Sequence, residues 1–199
     1  MTKTSFIYSN IRYYRFVMSL LYKGNYYKRF ESVIKQISGR TVTEICFGDI
    51  VIAGYCKKNS IQWVGFDINE VFVKNALKKG FKAEQKDVQQ LKQFPKAETC
   101  IICGSLYHFH EDPEALFIKM LACATRIIIS EPVINLSNDN GIIGKLAKAS
   151  ATVNGKKQTF RYTKKTLIQL LDVLSKKLQF EYSVTEQFDK DLIIVIKNE

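Results

Sequence analysis

The sequence predicts a doubly wound α/β fold with a seven-stranded, mostly parallel sheet, a C-terminal antiparallel hairpin and an N-terminal helical cap. Three observations predict it. Strand-like apolar runs alternate with helical segments from Thr41 onward, as in parallel sheets with right-handed crossovers. The runs are continuously apolar, which is typical of strands buried on both faces. Only Phe188, Asp189 and Lys190 join the last two runs, which is too short for a parallel crossover.

The predicted elements follow one another along residues 41–197. The strands are Thr41–Phe47, Gln62–Asp67, Phe81–Lys86, Thr99–Gly104, Arg126–Ser130, Phe180–Gln187 and Asp191–Lys197. The helices are Ile50–Lys58, Glu70–Lys79, Pro113–Cys123 and Thr163–Lys176. Thr163 is a suitable N-cap, because its hydroxyl can accept a hydrogen bond from a backbone N–H of the first turn. With no repeat and no linker, residues 1–199 are predicted to form a single domain.

Two segments lie outside this alternation. Residues 1–38 are predicted to form a helical cap, because apolar residues recur at helical spacing, namely Ile7, Ile11, Tyr14, Met18 and Leu21. Gly24 ends this first helix, and a second one is predicted over Tyr26–Ile37. Residues 133–162 have no sustained period and contain several Asn and Gly residues. An insertion of this length after a strand is typical of a lid over a binding site.

The charge of the chain is strongly positive and unevenly distributed. The formal net charge is +11. Residues 1–40 contain several Lys and Arg residues, and Glu31 is their only acidic residue. Basic flanks around a neutral centre suit an anionic substrate, nucleic acid or a membrane surface. A lysine-rich composition whose charges are simply solvated explains the same distribution.

The sequence predicts a soluble, cytoplasmic protein without a metal site. Arg12 and Arg15 interrupt any secretory apolar region, and no apolar run is long enough to span a bilayer. Five cysteines in such a chain are expected to be reduced. Cys100 and Cys103 form a CxxC pattern, but positions i and i+3 of a strand face opposite sides. The two histidines, at positions 108 and 110, are too few for a zinc shell.

The first strand–turn–helix–strand unit predicts a nucleotide site. The first strand contains Glu44, the turn that follows contains Gly48, and the second strand ends at Asp67. A glycine turn lets the backbone approach a ligand, and an acid at the end of the next strand accepts hydrogen bonds from ribose hydroxyls.

From Thr41 to Lys197 the order of elements resembles the class I S-adenosylmethionine-dependent methyltransferases, which have a Rossmann-like fold. Their first motif places an acid before glycines at alternate positions. Here Glu44 and Gly48 match this motif, whereas Cys46 and Ile50 stand where glycine is usual. The resemblance implies that S-adenosylmethionine is the cofactor and S-adenosylhomocysteine the product. Glycine lets the main chain pass close to the ligand. The Cys46 side chain is small, whereas the bulky Ile50 is expected to narrow the cofactor pocket.

The resemblance also implies positions for each part of the cofactor. Asp67, followed by Ile68, corresponds to the acid that binds the ribose. Asp87, followed by Val88, corresponds to the acid that contacts the adenine amino group. The stretch after the fourth predicted strand would line the methionine and sulfonium region through Gly104, Ser105 and Leu106. The expected cofactor-binding set is therefore Glu44, Cys46, Gly48, Asp67, Ile68, Asp87, Val88, Gly104, Ser105 and Leu106.

Two residues are candidates for catalysis. By the same resemblance, His108 would face the acceptor, and its ordinary pKa of about 6.5 suits a base that removes a proton. Glu131, at the end of the fifth predicted strand, is the second candidate. A structural role for either residue is the alternative. The methyl transfer itself needs a positioned acceptor and the exclusion of water.

The acceptor is predicted by elimination. Amino-group methyltransferases of the family carry an Asn/Asp-Pro-Pro-aromatic motif after strand four, where this chain has Gly104, Ser105, Leu106 and Tyr107. A small-molecule or lipid-like acceptor, methylated at oxygen, is therefore expected. Tyrosines and basic residues in the cap suit a flat or anionic acceptor. Three alternatives remain open: an RNA methyltransferase, a non-catalytic binding protein of this fold, and a peripheral membrane protein held by the N-terminal helix.

Overall fold

The computed structural model describes residues 9–133, 152–153, 156–157 and 160–198. The predicted helical position Ile7 and most of the predicted lid lie outside the described residues. The helices are α1 (Ile11–Leu21), α2 (Lys28–Ile34), α3 (Val51–Lys58), α4 (Glu70–Lys78), α5 (Pro113–Cys123) and α6 (Lys164–Leu178). The strands are β1 (Thr41–Ile45), β2 (Gln62–Asp67), β3 (Lys82–Gln85), β4 (Ala97–Cys103), β5 (Ala124–Pro132), β6 (Thr152–Val153), β7 (Lys156–Lys157), β8 (Glu181–Phe188) and β9 (Asp191–Lys197).

The main sheet has the predicted topology. Its seven strands lie in the order β3-β2-β1-β4-β5-β9-β8. The first five strands are parallel, and β9 runs antiparallel to both β5 and β8. The doubly wound sheet with a C-terminal antiparallel hairpin is therefore confirmed. The short strands β6 and β7 pair only with each other.

Two apolar cores cover the two faces of the sheet. One core packs α5 and α6 against the sheet through residues such as Phe117, Leu167 and Leu171. The other core packs the first four helices against the opposite face through residues such as Val17, Phe30 and Ile52. Both faces are covered, which explains why the strands are continuously apolar. Cys100 belongs to the first core and Cys103 packs against the second, as the alternation along a strand requires.

Some element boundaries differ from the predicted ones. The fifth strand extends to Ala124–Pro132, beyond the predicted Arg126–Ser130, because β4 pairs with it from Ala124 and β9 pairs with it as far as Pro132. The second cap helix is shorter than the predicted Tyr26–Ile37, since Gln36 and Ile37 form tighter i→i−3 hydrogen bonds after it ends. Thr163 caps α6 as predicted, and its hydroxyl accepts a hydrogen bond from the Thr166 N–H at 3.2 Å.

The cap is held against the rest of the fold by buried charge. Arg29 on α2 is 4 % exposed and places its Nε atom 3.0 Å from Oδ2 of Asp191, which is fully buried at the start of β9. The Tyr22 hydroxyl donates to the same carboxylate at 3.0 Å. Lys190 donates from its ammonium to the Leu21 carbonyl at 3.2 Å. The end of α1 and the start of α2 are thereby joined to the C-terminal hairpin.

Candidate functional site

The carboxyl ends of β1, β2 and β4 meet at one edge of the sheet, because the three strands are parallel neighbours. After β1 the chain makes a sharp turn in which Cys46 has a φ of 53° and Gly48 a φ of 56°. Positive φ suits glycine, but for cysteine it is a strained conformation. Ile50, which also stands at a glycine position of the motif, has an ordinary φ of −88°. Of the two departures from glycine, the one at Cys46 therefore strains the backbone.

Asp67 ties the end of β2 to this turn. One carboxylate oxygen accepts the Gly48 N–H at 2.9 Å, and the other accepts the Asn69 N–H at 2.8 Å. Burial raises the pKa of Asp67 to about 6, although hydrogen bonds from Asn69 and Gly48 oppose the shift. A carboxylate has about four lone-pair sites, so two N–H donors leave room for further hydroxyl donors.

Gly104 follows β4 at the same edge. It has a φ of 62°, and its N–H donates to the Ser130 carbonyl at 2.6 Å. A Cβ atom here would lie 3.0 Å from Nη2 of Arg29. The Arg29 guanidinium therefore reaches the strand edge from the cap, with its Nε held by Asp191. From the sequence, Arg29 is only one of several basic cap residues that suit an anionic acceptor, because nothing along the chain signals its burial.

Tyr14 is a second cap residue at this edge; the sequence indicates it only as one of several cap tyrosines that suit a flat acceptor. A Cβ atom on Gly48 would lie 3.5 Å from the Tyr14 hydroxyl oxygen. Its ring packs edge-on against Phe72 with a centroid distance of 4.9 Å. Burial raises the pKa of Tyr14 to about 12, although Arg29 opposes the shift. Its helical spacing indicated only a buried face, because a core tyrosine and a site tyrosine follow the same period.

Arg15 also fastens the cap to the turn. Its Nε and Nη2 atoms donate to the two carboxylate oxygens of Asp49 at 2.9 and 2.6 Å. Asp49 is 1 % exposed and also accepts the Ile50 N–H at 2.8 Å. Asp49, in the turn after β1, therefore holds α1 in place.

Glu44 lies in the core below this edge. It is fully buried on β1 and accepts the indole N–H of Trp63 at 2.7 Å. Burial raises the pKa of Glu44 well above its ordinary value, while the bond from Trp63 opposes this. Within the described residues, its second oxygen has no hydrogen-bond partner. The hydrogen bond of Glu44 therefore joins β1 to β2.

The predicted adenine-binding positions lie beyond β3. Asp87 accepts the Gln89 N–H at 3.0 Å and the Gln90 side-chain amide at 3.2 Å. Val88 is 3 % exposed, and its carbonyl accepts a hydrogen bond from Lys119 at 3.3 Å. Asp87 and Asp67 both act on the pKa of Cys46, which burial raises well above its ordinary value. Cys46 therefore lies near both acids that the resemblance assigns to the nucleoside.

Glu131 organises the segment after β4. The chain forms a 3₁₀ turn at Leu106–Phe109. Glu131 is fully buried and accepts the Leu106 N–H at 2.9 Å and the Tyr107 N–H at 3.3 Å. Burial raises the pKa of Glu131 to about 8, although the bonds from these N–H groups oppose the shift. Both carboxylate oxygens therefore hold the turn that carries His108.

His108 lies in an aromatic and cationic cluster. Its ring is 3.9 Å from the ring of Tyr107, and the Arg161 guanidinium lies 3.7 Å above the same Tyr107 ring. Phe160 stacks on His110 with a centroid distance of 4.2 Å. Burial, followed by the charge of Arg161, lowers the pKa of His108 to about 4. The imidazole is therefore neutral at pH 7. Residues 160–161, near the end of the predicted lid, return to this turn.

Apart from Asp87, Val88 and His108, described above, the predicted residues fall into two groups. Cys46, Gly48, Asp67 and Gly104 come together at the edge of β1, β2 and β4, and Ile68 and Ser105 directly follow two of them. Glu44, Leu106 and Glu131 are fully buried. Glu44 accepts a hydrogen bond from Trp63, and Glu131 accepts hydrogen bonds from the 3₁₀ turn.

Among the described residues, no group of three His, Cys, Asp or Glu side chains is placed to hold a metal ion. The helices that the structure describes do not include one with the length and apolar character needed to cross a bilayer.

No protein-family model and no curated protein sequence matches the chain. Solved structures do match. Magnesium protoporphyrin IX methyltransferase from Synechocystis PCC 6803, with bound SAH, has a TM-score of 0.66 and 16% identity, covering 94% of this chain and 93% of that one. The plantazolicin methyltransferase BpumL, in complex with a pentazolic desmethylPZN analog and SAH, has a TM-score of 0.68 and 14% identity, covering 96% and 93%. An rRNA methylase from Escherichia coli has a TM-score of 0.56 and 13% identity, covering 88% and 64%.

These matches establish the fold. The chain has the Rossmann-like fold of the class I S-adenosylmethionine-dependent methyltransferases. At this level of identity the likeness concerns the fold alone, and fold does not fix chemistry. The residues at the sheet edge fit a nucleoside joined to an amino acid, since Gly48 and Gly104 have no side chain and Asp67 supplies a buried acceptor. Cys46 is the position that departs from this fit.

Proposed function

We propose that this protein is an S-adenosylmethionine-dependent methyltransferase that acts on a small-molecule or lipid-like acceptor, at oxygen. One observation carries the proposal. Asp67, with a raised pKa, lies beside the backbone of Gly48, and Gly104 lies at the same edge with the buried cation of Arg29 next to it. A hydroxyl acceptor, an open backbone and a cation are what ribose, the sulfonium-bearing chain and a carboxylate require.

The residues of this chain would hold S-adenosylmethionine in a defined orientation. Asp67 accepts hydrogen bonds from the ribose hydroxyls, while the adenine lies toward Asp87 and Val88. Arg29 would bind the carboxylate of the methionine portion through Nη2, because its Nε is ion-paired with Asp191 and its Nη1 donates to the Tyr22 hydroxyl. Tyr14 covers Gly48 and excludes water from that side. When bound, the cofactor supplies an electrophilic methyl group on a sulfonium.

The cluster around His108 would hold the acceptor. Tyr107 and His108 offer ring faces for a flat or apolar group, and Arg161 offers a positive charge for an anionic one. Glu131 fixes this turn through two backbone hydrogen bonds, so the rings are positioned before the acceptor arrives. A small or lipid-like acceptor is favoured over RNA here, because the turn offers buried rings and one described arginine rather than an open basic groove.

His108 is the proposed base. Its imidazole is neutral at pH 7, since its pKa is lowered to about 4, so it can take a proton from an acceptor hydroxyl over the whole neutral range. A pKa this low makes it a weak base, which suits a hydroxyl that is already acidic, such as an enol or a phenol. Glu131 acts indirectly, by holding the turn.

A second function is favoured by one specific observation. Cys46 occupies a glycine position at a φ of 53°, and its side chain lies near Asp67 and Asp87. A protein of this fold that binds a different ligand, or none, would tolerate a side chain there. We therefore consider a non-catalytic binding protein as the alternative.

Calorimetry with S-adenosylmethionine and S-adenosylhomocysteine distinguishes the methyltransferase from the non-catalytic binding protein. We expect the wild type to bind both, and Asp67→Ala to bind at least about tenfold more weakly, which is the loss of ~1.4 kcal/mol in a charge-assisted hydrogen bond. Asp172→Ala, which removes an exposed carboxylate on α6, is the matched control and should bind like the wild type. Absence of binding to the wild type would exclude the methyltransferase and leave the alternative.

A further inference from the structure

The outer face of α1 is apolar although it faces solvent. Phe16 is 60 % exposed, Leu20 43 % and Tyr13 36 %, and these three residues follow each other at helical spacing on one side. An adjacent side of the helix buries Val17 and Leu21 in the core. The cap therefore uses one side of α1 for packing and presents a second apolar side outward.

The charged residues along this segment of chain are all positive. Arg12 is exposed one turn before Phe16, and Lys23 is exposed just beyond the C-terminal end of the helix. Lys28 is exposed at the start of α2. No acidic residue occurs between residues 9 and 30, so nothing on this segment of chain neutralises these charges.

We propose that the outer face of α1, defined by Tyr13, Phe16 and Leu20 with the flanking Arg12 and Lys23, docks on an anionic lipid bilayer. Aromatic and aliphatic side chains flanked by Arg and Lys are what an interfacial helix uses to sit among lipid headgroups. Charge complementarity favours this occupant, because the face carries basic side chains and no acid. An RNA would bind the basic side chains through its phosphates but would leave Phe16 and Leu20 exposed.

Docking in this orientation brings the site close to the bilayer. The residue before Phe16 is Arg15, which is bonded to Asp49, and Tyr14 lies over Gly48. The same helix therefore contacts the glycine turn and, on its other side, the lipid. A lipid-like acceptor would enter beside α1. Bilayer docking does not depend on cofactor binding, so the two proposals can fail separately.

Co-sedimentation of the full-length protein with lipid vesicles tests the proposal. We expect binding to vesicles of phosphatidylcholine mixed with phosphatidylglycerol, and weaker binding to phosphatidylcholine alone. The double variant Phe16→Ser with Leu20→Ser should bind the anionic vesicles about tenfold less tightly or worse, because it loses the inserted apolar groups. The matched control, Ile118→Ser with Val173→Ser, alters residues that are 49 % and 63 % exposed elsewhere and should bind like the wild type.

Two further measurements keep the test decisive if the serine variant is poorly folded. Arg12→Glu with Lys23→Glu should weaken binding to anionic vesicles. Phe16→Trp should show a blue shift of its fluorescence when vesicles are added, against a constant signal from the buried Trp63. Equal vesicle binding by wild type and serine variant would overturn the proposal. So would an unshifted tryptophan, or salt-sensitive binding to single-stranded RNA without any binding to vesicles.

Discussion

Arg15 and Asp49 form a two-point ion pair between α1 and the glycine turn, with contacts of 2.6 and 2.9 Å. Asp49 is almost fully buried, whereas Arg15 keeps 37 % of its side chain exposed. Parallel hydrogen bonds between a guanidinium and a carboxylate fix direction as well as distance. The cap is therefore attached to the backbone turn that the proposed cofactor would contact, and cap position and turn conformation are coupled.

Removal of this ion pair should loosen the cap. Arg15→Met keeps the length of the side chain but leaves the Asp49 carboxylate buried without its partner. We expect the free energy of unfolding to fall by about 1–2 kcal/mol, less than for a fully buried pair because Arg15 is partly solvated. Cofactor affinity should fall as well. Urea unfolding measures the loss of stability, and calorimetry measures the loss of cofactor affinity. Arg12→Met, which alters an exposed residue on the same helix, should leave both quantities unchanged.

Cys46→Gly should relieve the backbone strain in the turn after β1. Glycine adopts a φ of 53° without strain, and it removes a side chain from the vicinity of Asp67. We expect S-adenosylhomocysteine to bind about fivefold more tightly, which corresponds to ~1 kcal/mol. Calorimetry of the variant gives the answer, and a weaker affinity would show that the Cys46 side chain contacts the ligand favourably.

Gln179→Gly is the matched control for strain. Gln179 ends α6 with a φ of 56° and lies away from the turn. Its replacement should raise thermal stability by relieving the same backbone strain. It should leave cofactor affinity unchanged. An equal rise in affinity in both variants would mean that stability, and not the shape of the pocket, explains the result.

The fold could be predicted from the sequence because the apolar runs, the helical periodicity and the lengths of the connections all indicated the same topology. Continuous apolar runs such as Ile193–Val195 identified buried strands, and the short link after Phe188 required a hairpin. The carboxyl end of β5 was not predicted, since Glu131 and Pro132 are residue types with low strand propensity. They are in the strand because β9 supplies their partners, and such tertiary pairing is not visible locally.

The site was only partly predictable. Gly48, Asp67 and Gly104 follow predicted strands, so parallel pairing alone brings them to one edge. Arg29 and Tyr14 reach that edge through the packing of the cap, which no spacing along the chain encodes. Glu131 directly follows the predicted strand, but its hydrogen bonds to the 3₁₀ turn depend on the register between β4 and β5.

Cofactor affinity should depend on pH through Asp67. The carboxylate accepts hydrogen bonds from hydroxyls when ionised, and its pKa in the free protein is about 6. Above pH 6 the group is ionised and binding is at its strongest. Below pH 6 it must first lose a proton, so affinity should fall toward a tenfold loss per pH unit. Titration with S-adenosylhomocysteine from pH 8 to pH 5 measures this, and Asp67→Asn should bind weakly and without this dependence.

Asp191 should be essential for the stability of the cap. Asp191→Leu leaves the Arg29 guanidinium buried without its counter-charge, so we expect a loss of about 3–5 kcal/mol in the free energy of unfolding. The double variant with Arg29→Met should lose less than the two single variants together, because it removes both charges. Additive losses in urea unfolding would show that the two side chains do not act as a pair.

His108 and Glu131 should respond differently to substitution, because one faces the proposed acceptor and the other holds the backbone. His108→Gln should leave both stability and S-adenosylhomocysteine binding unchanged, and lower kcat by about 10²–10⁴ once an acceptor is found. Glu131→Ala should lower the free energy of unfolding by about 1–3 kcal/mol, since two buried N–H groups lose their acceptor. Unfolding of both variants can be measured without an acceptor. A large loss of stability in His108→Gln would assign the histidine a structural role, because a base that only moves a proton contributes nothing to folding.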